Sequence, residues 1–483
     1  MNTLNNKIEY NTINDNPTND NILINNLTMS DDLAKLTKFQ LLTKCKELNI
    51  SNCSSKNKND LIKMISTHIQ NNNKAYQQDH ESTIEENDNY SFKFIDLFCG
   101  IGGFHQALIK LKGKCVFASD IDGDCRKVYE ENYKLKPAGD ITKVEIDKIP
   151  SFDVLCGGFP CQPFSKAGNQ KGFEDDRGNL FFNICNIIKH HKPKYLLLEN
   201  VRNLSSHDDG NTWKVIRENI DKLGYYTYKE PVILNVLHFN VPQNRERVII
   251  MCKRKDLGEL KELPPISKNP KASLTQFVKD ITKESEKDFN SKYKITGKTK
   301  DVEKIWDEFI KLLISKNIQI PKFPIWTDWW DNDINSNKDF YNKYKSWIDN
   351  NRNFYTLNKE VLKKWLESSR KCSNWVGAVR KFEWQAGKEL ENDGMNNLLW
   401  TARGSGIRVK RLNYIPTLVA MSMIPIYGPE SRKLTPRELL RLQSFPDTFT
   451  YDDKSIFKQV GNAVNVKMIE RCARFLILNE SLF

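Results

Sequence analysis

The chain has 483 residues, 39% of them hydrophobic, so it is long enough for more than one packed domain, since single cores rarely grow past about 250–300 residues. It has no run of about 18 apolar residues, and its start, MNTLNNKIEY, lacks the apolar core of a secretory signal; an intracellular chain, in cytoplasm or nucleus, is expected, with no membrane association. A formal charge of +13 favours a polyanionic partner, nucleic acid first, while 11 cysteines without a CxxC pair argue for reduced thiols and against a metal site.

Ten of residues 1–30 are Asn, and the segment reads as a disordered arm. Over 31–70, Leu33, Leu36, Phe39, Leu42 and Cys45 recur at helical spacing. A polar break follows, and Leu61, Ile62, Ile65 and Ile69 open a second helical face. Seven lysines between Lys35 and Lys63 make this hairpin basic. It resembles a SAP module, a helical DNA-binding unit, although Ser54-Ser55-Lys56 stands where a turn glycine is expected; a helical protein-interaction hairpin is the alternative. Residues 71–91 read as a polar linker.

From 92 to 256 the apolar runs FKFIDLF, KCVFASD, FDVLCGG, YLLLENV and RVIIMC alternate with helical stretches. Such runs suit parallel strands buried on both faces, and the alternation predicts a doubly wound α/β sheet. After Asp256 the composition shifts: nine of the ten tryptophans lie between Trp306 and Trp400, and that block is expected to fold around its own core. The chain ends with the small-residue stretch QVGNAV and an amphipathic helix.

Gly100, Gly102 and Gly103 follow the first strand in a GxGG turn that opens a helix. The turn suits a single nucleoside-like cofactor better than a dinucleotide. Asp120 ends the second strand, 20 residues after Gly100, where an acid can hold ribose hydroxyls. Cys161, in FPCQPFS, follows the third strand at the carboxyl end of the sheet. It is a candidate thiolate, against the ordinary fate of a small buried hydrophobe that suits Cys156. Glu199 ends KYLLLENV; burial there raises a carboxyl and lets it donate to a ring nitrogen, the alternative being a salt-bridged structural residue. Arg245 and Arg247, in VPQNRERVII, suit anchoring of a phosphate or flanking group. In TARGSGIRVKR, Arg403 and Arg408 stand among glycines, a pattern for close approach to DNA or for a solvated basic turn. Trp326, Trp329 and Trp330 read as core.

The ordered set FIDLFCGIGGF, SDIDGD, GDIT, DVLCGGFPCQPFS, LLLENVRN, VPQNRERVII, RKLTPRELLRLQSFPD and QVGNAV resembles the DNA (cytosine-5) methyltransferase family over about 92–255 and 430–483. The resemblance implies a Rossmann-like catalytic domain over 92–256 that uses S-adenosyl-L-methionine. It implies a target-recognition domain over 257–455 and a segment, 456–483, that returns to the catalytic domain. It implies a Cys161 thiolate adding to C6 of a cytosine flipped out of double-stranded DNA. Glu199 then hydrogen-bonds N3, Arg247 steadies the ring at O2, and Arg245 holds Cys161 or the flipped nucleotide. For the cofactor it implies Phe98, Gly100, Gly102 and Gly103 around the methionine moiety, Asp120 at the ribose and Asp140 at the adenine amine. Ile121 and Ile141 belong to the same set, and Asn462 closes it. Gln162, Ser165, Arg403 and Arg408 are implied to touch DNA. The family usually has Glu where this chain has Asp120. A monomer is expected, with a cognate restriction endonuclease as a candidate partner.

Three rival readings stand beside this one. The first is an RNA cytosine-5 methyltransferase on the same scaffold. The second is a non-catalytic DNA-binding protein with this fold. The third is a cysteine hydrolase or redox enzyme, which would need a partner His or a second cysteine near Cys161; the histidines show no triad pattern. The long tryptophan-rich insertion favours DNA, and unaltered Pro160-Cys161 and Glu199-Asn200 favour an active enzyme.

Overall fold

Strands β1 (Phe92–Leu97), β2 (Gly113–Ser119), β3 (Val154–Gly158) and β4 (Tyr195–Val201) are the apolar runs of the sequence; β1, β3 and β4 are largely buried, and the edge strand β2 is half-buried through its middle. They pair in parallel in the order β2-β1-β3-β4. This computed structural model describes residues 90–160, 180–266, 292–388, 394–420 and 423–483, with 55–67 and single positions at 37, 38, 41, 42, 45, 53, 274 and 390.

The fifth run departs from the sequence expectation. It forms β8 (Glu246–Arg254), which is antiparallel to β4, with Glu199 opposite Ile249 and Val201 opposite Arg247. An apolar run buried on both faces reports burial and not direction. Here the chain reaches β8 from β6 (Val232–Asn235), its antiparallel neighbour, without a crossover helix. The short strand β5 (Tyr225–Tyr226) closes the far edge, also antiparallel to β8.

Successive strand residues feed two cores on opposite faces. Phe94, Val154 and Leu197 pack with helices Gly103–Ile109 and Val466–Leu478. Ile95, Leu155 and Leu196 pack with helices Leu180–His191 and Asn211–Lys222. The active-site strands are thereby clamped from both sides.

A second lobe carries a six-stranded sheet built from β9 (Ile325–Trp326), β10 (Lys381–Trp384), β11 (Leu399–Arg403), β12 (Gly406–Lys410), β14 (Ile426–Tyr427) and β15 (Arg432–Lys433), in the order β15-β14-β11-β12-β10-β9. Six tryptophans (Trp306, Trp330, Trp365, Trp375, Trp384 and Trp400) meet in its core, where Trp306 stacks on Phe382 with ring centroids 4.4 Å apart. Trp329 is buried as well, while Trp326 is half-buried, stacked on Trp347 and capped by Lys381 Nζ 3.7 Å above its ring. A separate pair, β7 (Gln243–Asn244) and β13 (Ile415–Pro416), joins the two lobes in parallel.

The chain returns to the first core earlier than the boundary at 456. Leu434, Leu439, Leu440, Leu442, Phe445 and Phe449 all pack there. Thr435 and Glu438 form a reciprocal capping box that starts helix Pro436–Leu442 and turns its leucines inward.

Residues 1–89 form a unit of their own. Residues 58–67 are helical, with Asn57 Oδ1 accepting from the Asp60 amide at 2.9 Å, and Leu61 and Ile65 pack with Leu41, Cys45 and Cys53. Leu33, Leu36, Phe39 and Ile69 lie outside the described residues.

Candidate active site

The carboxyl ends of β1 to β4 border one cavity of about 540 Å³. At its first edge β1 breaks into a left-handed turn, with φ of 54° at Phe98, 54° at Gly100 and 87° at Gly102. Asp120, one residue past β2, staples that turn: its Oδ2 accepts from the Gly100 amide and its Oδ1 from the Asp122 amide, both at 2.8 Å. Each oxygen keeps a further lone pair for a ligand hydroxyl. Burial pushes the Asp120 carboxyl up, against those two amides.

The three glycines of the turn do different work. Gly100 lines the cavity, and nothing lies within 4 Å of the place its Cβ would take. Gly102 serves packing: a Cβ there would sit 2.2 Å from Tyr133 Cε2, and the Tyr133 hydroxyl donates to the Gly102 carbonyl at 2.9 Å. A Cβ on Gly103 would sit 2.6 Å from Val464 Cγ2. Phe98, Ile121, Asp140 and Ile141 also line the cavity; Ile121 is 76% exposed at its rim. Asp140 Oδ1 accepts from the Thr142 amide and hydroxyl, which hold its carboxyl below the ordinary value. Asn462 stands on the wall with Gln459, Gly461, Ala463 and Val464.

At the other end of the cavity, Glu199 Oε1 lies 2.7 Å from Arg247 Nε, both largely buried. Burial raises the Glu199 carboxyl, with Arg247 and then Arg245 pulling it back. A Cβ on Gly158 would stand 3.2 Å from Glu199 Oε2, so the glycine gives that oxygen room. Asn200 fixes the backbone ahead of Pro160: its Nδ2 donates to the Phe159 carbonyl and its Oδ1 accepts from the Val201 amide, both at 2.8 Å. Pro160 lines the cavity; Cys161, Gln162 and Ser165 lie outside the described residues.

Arg245 also borders the cavity, but its terminal nitrogens are committed to backbone carbonyls of Leu418, Gly461 and Ala463. Arg403 and Arg408 are not brought to the cavity. They stand on β11 and β12, where Arg408 Nε is 3.0 Å from Glu383 Oε2. Burial and the neighbouring cations depress Arg403 and Lys410. On this face Leu399, opposite Lys410, and Tyr427, opposite Leu399, are buried in the first lobe's core, so the basic residues continue a surface turned toward that lobe.

Sequence reading took Asn462 alone from QVGNAV, although four neighbouring residues share the wall; the run of small side chains was the available signal. It also gave Asn200 no role, since a hydrogen bond to Phe159 across 41 residues leaves no local trace. Among the described residues no group of three or more His, Cys, Asp or Glu is arranged to hold a metal, and no helix is long and apolar enough to cross a membrane.

A family model described as C-5 cytosine-specific DNA methylase matches residues 92–477. The Type II methyltransferase M.HpaII of Haemophilus parainfluenzae is 33% identical over 396 residues, covering 80% of this chain and 89% of that protein. M.DsaV of Dactylococcopsis salina is 32% identical over 387 residues, covering 80% and 86%. M.HhaI of Haemophilus parahaemolyticus is 44% identical over 189 residues, covering 39% of this chain and 56% of its own length. Among solved structures, a Spodoptera frugiperda DNMT2 variant covers 80% of this chain and 99% of its own, at 19% identity and a TM-score of 0.44.

Proposed function

The chain belongs to the C-5 cytosine-specific DNA methylase family, and on that premise we propose that it methylates C5 of a cytosine flipped out of duplex DNA, with S-adenosyl-L-methionine as donor. One observation carries this reading: the buried Glu199–Arg247 pair and the Asp120-stapled glycine turn share a single cavity, with Pro160 on its wall.

The residues at the turn suit the donor. Asp120 and Asp140 offer carboxylate oxygens to hydroxyl and amino groups, Gly100 leaves open space, and Ile121 and Ile141 offer apolar contact to a flat base. Phe98, Gly103 and Asn462 complete the wall around it. Bound there, S-adenosyl-L-methionine supplies the methyl group.

The rest of the chemistry is assigned to the chain. Cytosine C5 is a weak nucleophile until electrons are pushed into the ring. The Cys161 thiolate forms a bond to C6, and Glu199 gives a proton or hydrogen bond to N3, so the displaced pair becomes available at C5. Arg247 holds Glu199 in place and donates to O2 of the ring. After C5 has gained its methyl group, a base removes the C5 proton, the C5–C6 double bond re-forms, N3 returns its proton and the Cys161 sulfur departs. Gln162 and Ser165, in the segment after Cys161, are assigned to the DNA, as are Arg403 and Arg408 on the second lobe. Residues 31–70 are assigned to tethering the same duplex. The enzyme is taken to act as a monomer, with a cognate restriction endonuclease as its counterpart.

The test is methyl transfer from labelled donor, with duplex DNA and total RNA offered in parallel, and Cys161→Ala as control. Label on duplex cytosines, located by bisulfite sequencing and lost in the control, is expected. Label confined to RNA would overturn the DNA substrate, and bound donor without any transfer would overturn the activity.

A further inference from the structure

After β12 the chain runs through residues 411–420, a strap that leaves the recognition lobe and crosses onto the first sheet. Its Ile415 amide donates to the Pro242 carbonyl at 2.9 Å, Thr417 Oγ1 donates to the Asn244 carbonyl at 2.7 Å, and Leu418 is buried in the first core. Two independent contacts tie this strap to the wall of the cavity. Arg245 donates from Nη1 to the Leu418 carbonyl at 2.8 Å and from Nη2 to the Gly461 and Ala463 carbonyls, each at 3.0 Å. Separately, Gly461 lies flat on the strap: a Cβ there would stand 2.4 Å from the Val419 carbonyl and 2.6 Å from the Ala420 amide.

The wall continues the connection. Ala463 is followed by Val464, which packs against Gly103 of the cofactor turn closely enough to exclude a Cβ. Arg245 is only 1% exposed, and carbonyls, not a carboxylate, are its hydrogen-bond acceptors. A cation sealed from water on neutral acceptors is costly. What the guanidinium adds over a hydrocarbon is a planar fork that fixes carbonyls from two chain segments at once.

We propose that Arg245 is a positioning residue that locks the recognition strap to the cofactor wall, so that duplex binding and cofactor binding are energetically coupled through it. This rests on the methyltransferase reading above. A duplex that shifts the strap shifts Gly461 and Ala463 with it, and the coupling is reciprocal by linkage.

The test uses the full chain, S-adenosylhomocysteine as a probe that cannot be turned over, and a duplex carrying the site found by bisulfite sequencing. Calorimetry gives the probe's Kd with and without saturating duplex, for wild type, Arg245→Lys and Gly461→Ala. Lysine keeps the charge and loses the fork; alanine at 461 pushes against the Val419–Ala420 backbone of the strap while leaving the guanidinium and its carbonyl acceptors chemically unchanged. The wild-type ratio of Kd values is expected in the range of about 5 to 150, and each folded variant is expected to bring it below about 2. A ratio preserved in either folded variant would overturn the proposal. A wild-type ratio of 1 with both ligands bound would overturn the coupling and leave the methyltransferase reading standing. A wild type that binds no probe would remove that reading, and this inference with it.

Discussion

Glu199 lies two residues before the end of the buried strand β4 and faces a guanidinium 2.7 Å away, so two opposed forces set its proton. Burial favours the neutral acid, and Arg247 favours the carboxylate; the balance lies above the ordinary carboxyl value. A raised carboxyl stays protonated to a higher pH than a free one, and it loses its proton as pH climbs through the raised value. The rate that depends on Glu199 as an acid therefore falls on the alkaline side. Glu199→Gln is expected to lower kcat by about 10²- to 10⁴-fold and to abolish that alkaline limb. Steady-state rates across pH, at saturating donor and duplex, check both. A variant with wild-type kcat would remove Glu199 from the proton path.

At the scale of elements, the turn after β1 is held by its neighbours as much as it holds anything. Gly102 has a φ of 87° and lies under the Tyr133 ring. Gly102→Ala is expected to cost about 1–3 kcal/mol of stability, from left-handed backbone strain and displacement of the ring. Tyr133→Phe, which keeps the ring and removes the hydroxyl's bond to the Gly102 carbonyl with its longer contacts to the Ile101 carbonyl and Gln106 Oε1, is expected to cost about 1 kcal/mol. Urea unfolding of the two variants checks the order; equal losses would mean that the hydroxyl, and not the space under the ring, sets the turn.

The same turn marks how far sequence reading reaches. The strands β1 to β4 were legible because each is a continuous apolar run, and Gly100 and Asp120 were legible because strand ends with glycines and acids are where α/β sheets meet ligands. The direction of β8 was not, because its apolar run would look alike in either orientation. Gly102 and Gly103 have the same letter as Gly100, and their packing against Tyr133 and Val464 depends on residues 31 and 361 positions away. Arg245 stood out as a charged residue before a strand, but its acceptors lie 173 to 218 residues further on, beyond any local pattern.

For the whole molecule, residues 1–89 form a compact unit distinct from 90–483, and the described part of it carries Lys38, Lys56, Lys58 and Lys63. In the proposed role of a tether, this unit would add phosphate contacts without touching the chemistry. Deleting it is expected to weaken duplex affinity, most at low salt, and to lower the magnitude of the slope of log K against log salt by about 0.9 for each contact removed. Turnover at saturating duplex is expected to survive. Fluorescence anisotropy over a salt series and a methylation assay on the truncated chain check both; loss of turnover with cofactor binding intact would mean that the unit belongs to the catalytic body.

The central claim is a covalent route through Cys161 on a cytosine in DNA, and a 5-fluorocytosine duplex tests it most directly. Fluorine at C5 leaves no proton for the base to remove, so the last elimination stops and the sulfur–C6 bond persists. Incubation with S-adenosyl-L-methionine is expected to give a denaturant-stable complex of one chain and one duplex, with the DNA mapped by mass spectrometry to the peptide that contains Cys161, and none with Cys161→Ser. Methyl transfer to ordinary DNA with no such complex on the fluorinated duplex, or a complex that survives Cys161→Ser, would contradict the account.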